Sequence, residues 1–422
     1  MSEPVKVAIL GCGMRGQFMY APFSKLRPDL MKLVAVAEPD QAKREEIAQE
    51  YDLPSDKCFF SAEDFLAQPK MADVVFLCTQ DRQHVSQAVA ALDKGYHLML
   101  EKPAATTVED CETILAAANR NNSKVAVCHV LRYTMFYQLI KFYIQSGRIG
   151  DVMSVNQLEQ VGWWHMAHSF VRGNWRNSDE SCPMILAKSC HDMDIIRWLV
   201  GKPCKRVSSF GSLGHFNAEH APYGAAERCL DGCKAKDGCP YDAEKIYIFE
   251  RYGSVESHYS RSGALTEDRS LEGVYKALRT GPYGRCVYHC DNNVVDHQVV
   301  NLEFEDNITA AFTMCAFTGE FSRKTEIYGT RGSIRGDMAE NKLYLTTFGQ
   351  PTEVIDVAEY TTDFSGHGGG DNKMMTEFLE YVRGDRPMSN TLTTLETSIE
   401  SHKMALLAEE SRVHGGQPVD IH

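Results

Sequence analysis

A glycine pattern near the start of the chain has the spacing of a phosphate-binding turn. It follows an apolar run of strand length, Val5–Leu10, and precedes residues 17–26, which we predict to be helical. In a Gly-x-Gly-x-x-Gly turn the first glycine permits the tight turn, the second lets the backbone approach a pyrophosphate, and the third lets strand and helix pack closely. The helix N-terminus then presents N–H groups to the phosphates. The predicted turn consists of Gly11, Cys12, Gly13, Met14, Arg15 and Gly16.

An acidic residue follows the second apolar run at the distance expected of a dinucleotide-binding unit. The run 33–37 ends in Glu38, 22 residues after Gly16. A carboxylate at this place binds the ribose hydroxyls of NAD and repels the 2′-phosphate of NADP. We therefore predict NAD as the cofactor in preference to NADP. The alternative is an ordinary glycine-rich turn followed by a solvated glutamate.

A second group of chemically versatile side chains lies in the middle of the chain. Two of the four tryptophans and two histidines fall within residues 162–170. Aromatic faces stack on the C–H face of a sugar ring, while His, Asn and Arg bind its hydroxyls. The pattern indicates either a carbohydrate-binding surface or a strand end packed with core aromatics. The candidate substrate-binding residues are Trp163, Trp164, His165, His168, Arg172, Asn174 and Trp175.

Three cysteines within eleven residues are candidate ligands of a structural zinc ion. A tetrahedral zinc site would stabilise a long segment that has little core of its own. The alternative is a set of free thiols in a loop. The three cysteines are Cys229, Cys233 and Cys239, and candidates for a fourth ligand are Cys286, Cys290 and His220.

A glycine-rich loop near the end of the chain, 366–371, carries one imidazole, that of His367. Loops of this kind can fold over a site. We include His367 among the candidate substrate-binding residues, and the alternative is a flexible linker.

Short apolar runs alternate with helical patterns through residues 1–130. This βαβ alternation predicts a doubly wound parallel sheet, a Rossmann domain whose ligand lies at the carboxyl ends of the strands. The predicted strands are 5–10, 33–37, 59–60, 72–78, 97–100 and 124–128.

Residues 131–422 predict a second α/β domain with an open, mainly antiparallel sheet, because their apolar strands are longer and alternate. A Cys-rich insertion is expected at about 212–292. The predicted strands are 152–160, 294–304, 308–317 and 324–328, and the predicted helices are 135–146, 373–383 and 394–411.

Composition excludes several classes of partner. The 422 residues carry a net charge of −13 and no basic tract, which argues against nucleic acid. No apolar segment reaches the ~18 residues of a membrane span. The N-terminus lacks the features of a signal peptide. We therefore expect a cytoplasmic protein whose cysteines are thiols or metal ligands, not disulfides.

The ordered set of motifs resembles the Gfo/Idh/MocA family of NAD(P)-dependent oxidoreductases. After the glycine turn come Glu101-Lys102-Pro103 at a strand end and a His-x-x-Asp, His191 to Asp194, that leads into Trp198-Leu199. The resemblance covers nearly the whole chain and implies a substrate bound between a Rossmann domain and a C-terminal α/β domain. Members mostly oxidise or reduce sugars, inositols and related polyols, and they often form homodimers or homotetramers.

The resemblance also implies roles for individual residues. Lys102 matches the catalytic lysine and His191 the active-site histidine. The family often has an Asp four residues before this histidine, where this chain has Ala187. Lys188 is therefore either a second catalytic cation or a solvent-facing lysine. The resemblance further places Thr79, His84, Glu101 and Lys102 near the cofactor and Asp192 near the substrate.

Three functional hypotheses follow. The first is hydride transfer between NAD and a hydroxyl-bearing carbon of a sugar, glycoside or polyol. The second is glycoside hydrolysis or elimination with recycled NAD, for which the missing Asp and the added Lys188 are arguments. The third is a non-catalytic dinucleotide-binding regulator, which would not need Lys102 or His191.

Overall fold

The computed structural model describes residues 3–249, 264–266, 268 and 270–421. Six parallel strands form its N-terminal sheet, in the order β3-β2-β1-β4-β5-β6 that is typical of dinucleotide-binding folds. The predicted doubly wound parallel sheet is thus confirmed. The strands are β1 Val5–Leu10, β2 Met31–Ala37, β3 Cys58–Phe59, β4 Val74–Leu77, β5 His97–Leu100 and β6 Val125–Val127.

Helices cover both faces of this sheet, as its apolar strands require. Side-chain caps set the N-termini of three of them: Asp40 before α2, Ser61 before α3 and Thr107 before α5. The helices are α1 Phe23–Leu26, α2 Gln41–Glu50, α3 Ala62–Ala67, α4 His84–Asp93 and α5 Val108–Arg120.

The single helix predicted over 17–26 is divided into two short segments. Gly16–Tyr20 forms a π-helical turn, and α1 begins only after Pro22. Proline has no N–H to continue a helical hydrogen-bond pattern and fits best at a helix start. The π-helical turn follows the glycine turn directly, and such turns are frequent at functional sites.

The C-terminal sheet has nine strands in the order β14-β13-β12-β11-β7-β10-β9-β8-β15. Only β7 and β10 pair in parallel, so the prediction of a mainly antiparallel sheet is confirmed. Its strands are β7 Val152–Gln160, β8 Cys204–Ser212, β9 His297–Phe304, β10 Thr309–Cys315, β11 Ser322–Gly329, β12 Gly332–Asp337, β13 Lys342–Thr347, β14 Glu353–Asp356 and β15 Val419–Asp420.

The remaining helices follow β6 along the chain, and some of them pack on the nine-stranded sheet. The helices are α6 Met135–Gln145, α7 Trp163–His165 with its π-helical continuation Met166–Arg172, α8 Met184–Ala187, α9 Cys190–Val200, α10 Leu271–Thr280, α11 Gly370–Arg383 and α12 Leu395–Val413.

The last two helices return to the N-terminal sheet and join the two halves of the molecule. Met374 and Phe378 of α11 pack in the same apolar cluster as Val7 of β1. On α12, Ile399 packs with the helices of the parallel sheet, and Nε2 of His402 accepts a hydrogen bond from the Ala104 N–H at 2.9 Å. The contacts of α11 and α12 therefore hold the two sheets in a fixed position on either side of a cleft.

The described part of the predicted insertion has a small apolar cluster of its own. Ile246 and Tyr247 pack against Val274 and Leu278 of α10. Residues 250–263, 267 and 269 of the insertion lie outside the described residues. Among the described helices, none is long and apolar enough to cross a bilayer, and a cytoplasmic location stays a prediction.

Candidate active site

The glycine turn lies at the carboxyl end of β1, in the centre of the parallel sheet. Gly11 has a φ of +90°, and a Cβ at this position would lie 2.6 Å from the Cys78 carbonyl oxygen. Only glycine is compatible with this conformation and contact. No atom lies within 4 Å of a Cβ added at Gly13. The turn therefore has a tight inner side and an open outer side, which suits a pyrophosphate.

Glu38 follows the end of β2, and its side chain points to the glycine turn. Its Oε2 accepts a hydrogen bond from the Cys12 N–H at 2.8 Å, and its Oε1 accepts one from the Asp40 N–H at 3.1 Å. The residue is 8% exposed. A fixed carboxylate beside the open side of the turn fits the ribose and pyrophosphate of a dinucleotide.

Arg15 connects the glycine turn to the end of β5. Its Nε donates a 2.7 Å hydrogen bond to Glu101 Oε1, and its Nη2 donates one of 2.6 Å to the Tyr20 hydroxyl, which itself donates to Glu101. Burial raises the pKa of Glu101, but Arg15 and Tyr20 outweigh it and hold the pKa below its usual value. The two predicted cofactor residues Arg15 and Glu101 are thus joined in one buried ion pair.

Lys102 extends from the end of β5 toward the C-terminal part of the chain. The peptide bond between Lys102 and Pro103 is cis. The Nζ of Lys102 donates a 2.8 Å hydrogen bond to the Ala187 carbonyl oxygen, four residues before His191. This contact brings the lysine and the segment that carries the histidine to the same place in the cleft.

His191 lies in the first turn of α9 and is 6% exposed. Burial, reinforced by the charge of Lys102, holds its pKa well below the usual value, so the imidazole is neutral near pH 7. Its Nδ1 has no hydrogen-bond partner among the described residues. Its ring centre lies 5.8 Å from that of His129 and 6.1 Å from that of His367. In the neutral imidazole one ring nitrogen carries a proton and the other is an acceptor.

Lys188 is buried beside the site and does not project into solvent, its side chain being 12% exposed. Its Nζ lies 3.4 Å from Glu159 Oε1 and 4.5 Å from the ring centre of Phe321. Burial lowers the pKa of Lys188 to about 8; Glu159 opposes this shift, while Arg323 and Lys102 add to it. Of the two alternatives for Lys188, the placement favours a second cation near the site.

Lys188 borders a buried ionic network that the sequence analysis did not predict, and Glu159 connects the two. Arg323 lies 2.8 Å from Glu159 Oε1 and 3.0 Å from Asp192 Oδ1. Gln157 Nε2 donates to the same Asp192 oxygen at 2.9 Å. Burial raises the pKa of Asp192 to about 7, although Arg323 opposes the shift. The prediction that Asp192 contacts substrate is corrected, because its fully buried carboxylate is occupied by Arg323 and Gln157.

Part of the predicted sugar-binding stretch lies beside Lys188. The ring centre of Phe321 is 6.4 Å from that of Trp164 and 5.1 Å from that of His165. These three rings form an aromatic surface next to Lys188. Trp163 is turned toward the insertion, with its ring 6.1 Å from that of Tyr241.

Two other residues of the stretch anchor the insertion. Arg172 is 1% exposed and donates hydrogen bonds of 2.7 Å to the carbonyl oxygens of Arg285 and Tyr241. His168 Nδ1 lies 2.7 Å from the Tyr247 hydroxyl, and its ring stacks on Tyr283 with centres 4.8 Å apart. The substrate-binding prediction for the fully buried Arg172 is corrected for this reason, whereas that for the half-buried His168 stays a prediction.

The remaining predicted residues also make structural contacts. His84 is fully buried, with Nδ1 2.8 Å from the Pro103 carbonyl oxygen and Nε2 3.2 Å from that of Thr79. It therefore braces the strand ends and does not face a cofactor. Trp175 Nε1 donates to Asp81 Oδ2 at 3.2 Å across the cleft. Thr79 and Asn174 remain candidate binding residues. The Thr79 hydroxyl donates a 2.6 Å hydrogen bond to Gln87, and the Asn174 side chain is exposed.

The cysteine cluster does not form the predicted zinc site. Cys229, Cys233, Cys239 and Cys286 line one small cavity that has room for about one water molecule. Yet no group of three or more His, Cys, Asp or Glu residues in the described ranges is arranged to hold a metal ion. The guanidinium of Arg172 donates to Cys229 Sγ at 3.6 Å. A permanent buried cation at this place would repel a zinc ion.

Family models match almost the entire chain. The model described as "Oxidoreductase family, NAD-binding Rossmann fold" (GFO_IDH_MocA) matches residues 5–129. The model described as "Oxidoreductase family, C-terminal alpha/beta domain" (GFO_IDH_MocA_C) matches residues 141–421. Together these ranges contain every residue assigned to the site above.

Individual relatives agree with the family match. The putative oxidoreductase YteT of Bacillus subtilis (strain 168) is 24% identical over 319 residues, 73% of this chain and 72% of YteT. The D-glucoside 3-dehydrogenase of Escherichia coli (strain K12) is 28% identical over 151 residues, 36% of this chain and 42% of that protein. Several other curated relatives are matched over only about half of their length.

A solved structure has the same fold over the full length of the chain. The inositol dehydrogenase homolog from Azotobacter vinelandii, complexed with NADH and myo-inositol, superimposes with a TM-score of 0.69 at 16% identity. The match covers 100% of this chain and 98% of that protein. At this identity the likeness concerns the fold alone.

Proposed function

The chain belongs to the Gfo/Idh/MocA family of oxidoreductases, and from this premise we propose that it transfers a hydride between NAD and a hydroxyl-bearing carbon of a sugar, glycoside or related polyol. The observation that carries the proposal is the convergence of Lys102, His191 and Lys188 on one cleft. Lys102 follows the end of β5, two strands from β1 in the parallel sheet, and its hydrogen bond to Ala187 links it to the segment that carries the other two. The similarity to a glucoside dehydrogenase supports the substrate class.

The dinucleotide would be held by the residues at the strand ends of the parallel sheet. The backbone of 11–16 would bind the pyrophosphate and Glu38 the adenosine ribose. Because a carboxylate at this position repels a 2′-phosphate, we propose that NAD is preferred over NADP. Bound NAD supplies the hydride acceptor, and the protein supplies orientation and proton transfer.

Lys102 and His191 divide the proton chemistry at the substrate hydroxyl, and the neutral amine of the neighbouring Lys188 takes up the released proton. The Lys102 ammonium polarises the oxygen by hydrogen bonding, as a charged donor stabilises a developing alkoxide. The neutral imidazole of His191 accepts the hydroxyl proton. The aromatic surface of Trp164, His165 and Phe321 stacks against the sugar ring.

A panel assay tests the proposal. Purified protein is incubated with NAD and a set of free sugars, polyols and nitrophenyl glycosides while NADH and nitrophenol are followed by absorbance. We expect NADH to form with at least one sugar and to be lost in Lys102→Met. The matched control is Lys202→Met, a surface lysine paired with Asp306, which should behave as the wild type. Absence of NADH across the panel, with NAD bound, would contradict the proposal.

A second candidate is favoured by Lys188. Where the family often has an Asp, this chain has Ala187 followed by a buried lysine whose pKa is lowered to about 8. A neutral amine can remove the C–H proton next to a transient ketone, so that an aglycone leaves by elimination. We infer that such an enzyme would release nitrophenol without net NADH, whereas the first proposal requires NADH to accumulate.

A further inference from the structure

The glycine-rich loop 366–371 is a defined turn between the two halves of the molecule. It lies between β14 of the C-terminal sheet and α11, which packs on the N-terminal sheet. Gly366 has a φ of +54°, and a Cβ there would lie 2.5 Å from Asp371 Oδ2. Glycine is therefore required for Asp371 to approach this turn. The alternative interpretation of the loop as a flexible linker does not account for these contacts.

Asp371 bonds to the one imidazole of this loop. Its Oδ2 accepts hydrogen bonds from His367 Nδ1 at 3.0 Å and from the His367 backbone N–H at 3.1 Å. Its Oδ1 accepts a 2.6 Å hydrogen bond from Arg15 Nη2. The carboxyl side chain is 4% exposed. Burial raises its pKa, but His367 and Arg15 outweigh burial and hold the pKa far below the usual value, so Asp371 is an anion.

This arrangement determines which nitrogen of His367 is available. A carboxylate oxygen accepts hydrogen bonds only, so Nδ1 of His367 must carry the proton that it shares with Asp371. Nε2 is then left as an acceptor in the neutral ring. The His367 side chain is 39% exposed, in contrast to the buried His191 ring 6.1 Å away.

We propose that Asp371 is a positioning residue that holds His367 as the Nδ1–H tautomer, with Nε2 accepting a hydrogen bond from a substrate hydroxyl next to the one at Lys102 and His191. The substrate class is that of the proposed function, on which this inference rests: a ring with adjacent hydroxyls. Arg15 binds both Asp371 and Glu101. The same guanidinium therefore joins this histidine to the dinucleotide turn.

The test uses the full-length protein and three variants. Asp371→Asn exchanges one acceptor oxygen for an NH₂ group. Because a charged donor makes the stronger hydrogen bond, we expect the remaining oxygen to stay with Arg15 at the expense of the His367 backbone N–H, so that the NH₂ group faces His367 Nδ1. We expect the His367 tautomer to change to Nε2–H, by the same logic as for the orienting aspartate of a serine protease. His367→Asn identifies the ring signals. Asp363→Asn is the matched control, because Asp363 caps the same loop through Ser365 and Asn372 without bonding to His367.

Two readouts are made on each variant. Long-range ¹H–¹⁵N spectra of histidine-labelled protein with NAD, without sugar, report the tautomer. Kinetics with the best sugar of the panel report kcat/KM, which we expect to fall about 10- to 100-fold in Asp371→Asn. NAD affinity, measured by fluorescence titration, should stay within about twofold because Arg15 keeps Glu101 as a partner.

Each contrary outcome identifies what has failed. A wild-type Nε2–H tautomer, or an equal loss of activity in Asp363→Asn, would overturn the positioning role and leave hydride transfer intact. A loss of NAD affinity as large as the loss of kcat/KM would show that Asp371 acts through Arg15 and not through His367. If no sugar yields NADH, the proposed function fails, while the tautomer measurement still decides the role of Asp371.

Discussion

At the scale of single residues, the site contains two lysines, Lys102 and Lys188, whose charges are close enough to interact. Lys102 and Lys188 interact unfavourably, and burial adds to the cost of a second positive charge. Glu159 keeps Lys188 from losing its proton entirely, so that the pKa settles at about 8. An amine with this pKa exchanges protons near physiological pH and suits acid–base catalysis.

The first prediction concerns the pH dependence that Lys188 contributes. In the oxidation of a sugar hydroxyl, activity should rise with pH through about 8, because the neutral amine is the form that accepts a proton. Lys188→Met should remove this rise and lower kcat about 10²-fold. The measurement is kcat and kcat/KM from pH 6 to 10. An unchanged profile in the variant would assign the ionisation to another group.

The second prediction concerns cofactor choice at Glu38. Glu38→Ala removes the carboxylate that binds the ribose hydroxyls, and a hydrogen bond to a charged group contributes about 1.5–3 kcal/mol. We expect the Kd for NAD to rise at least about 10-fold and the Kd for NADP to stay constant or fall. Both are measured by fluorescence titration. Glu45→Ala, an exposed acid on the neighbouring helix α2, is the control, and equal weakening of both cofactors in Glu38→Ala would contradict the prediction.

At the scale of elements, three buried histidines lie where separate segments meet. The ring of His129, which follows β6, lies 5.8 Å from that of His191 on α9 and 5.5 Å from that of His402 on α12. All three pKa values are lowered, burial being the largest cause. The packing of α12 on both halves of the molecule therefore depends on neutral imidazoles.

The third prediction is an acid sensitivity of this contact. The pKa of His402 is about 3 in the folded protein, against about 6.5 when unfolded. As pH falls below about 6.5 the unfolded state binds a proton that the folded state does not, so the free energy of unfolding falls by up to about 1.4 kcal/mol per pH unit. Above this range the group contributes no pH dependence.

His402→Gln tests this sign. The variant's deficit in the free energy of unfolding, relative to the wild type, should shrink between pH 6.5 and 5, since glutamine does not titrate. Asp192, whose raised pKa stabilises the fold as pH falls, contributes equally to both proteins and cancels in the difference. Urea denaturation at each pH gives the free energies. His414→Gln, an exposed histidine just beyond the end of α12, should leave the difference constant. A constant difference for His402→Gln would show that His402 is not buried in neutral form.

The elements that the sequence predicted best are those with strong local periodicity. Strands β1, β5 and β7 were predicted with the bounds that the structure has, and the parallel sheet followed from the βαβ alternation. Strands β8 and β12–β15 were missed because they are short or mostly polar, and pairing with neighbours stabilises them more than their own sequence does. The π-helical turn after Gly16 was missed because it has no signature of its own in the sequence.

At the scale of the whole molecule, local motifs located the cleft, and long-range contacts decided which side chains act there. The resemblance to the family, carried by short motifs, implied Lys102 and His191. Arg323 and Glu159 stand opposite each other on β11 and β7, a register between strands more than 160 residues apart that no local pattern gives. For the same reason the sequence predicts only a glycine-rich loop over 366–371, and the contact of its Asp371 with Arg15, 356 residues away, has no local signal.

Also at the scale of the whole molecule, one face of the large sheet exposes apolar side chains among the described residues. Phe210 of β8 and Val299 of β9 are paired neighbours on this face and are 54% and 42% exposed. Nine strands spaced about 4.8 Å apart form a surface about 40 Å wide. This is wide enough for a stable interface, which buries about 1,200–2,000 Å². We propose that two copies associate through this face, as a homodimer or as part of a homotetramer.

The last prediction tests this association. Phe210→Glu places a charge in the centre of the apolar pair, and the desolvation of unpaired glutamates in a symmetric interface should shift the protein to the mass of a single chain. Light scattering coupled to gel filtration measures the mass. Tyr223→Glu, at a side chain that is 97% exposed on the insertion, should keep the wild-type mass. A wild-type protein that is monomeric at micromolar concentration would refute the interface, whereas an oligomeric Phe210→Glu would place the contact on another surface. Residues 11–16 and Glu38 lie in the Rossmann domain, whereas Phe210 lies on the other sheet. The monomeric variant should therefore retain NAD binding, and its fluorescence titration separates loss of association from loss of fold.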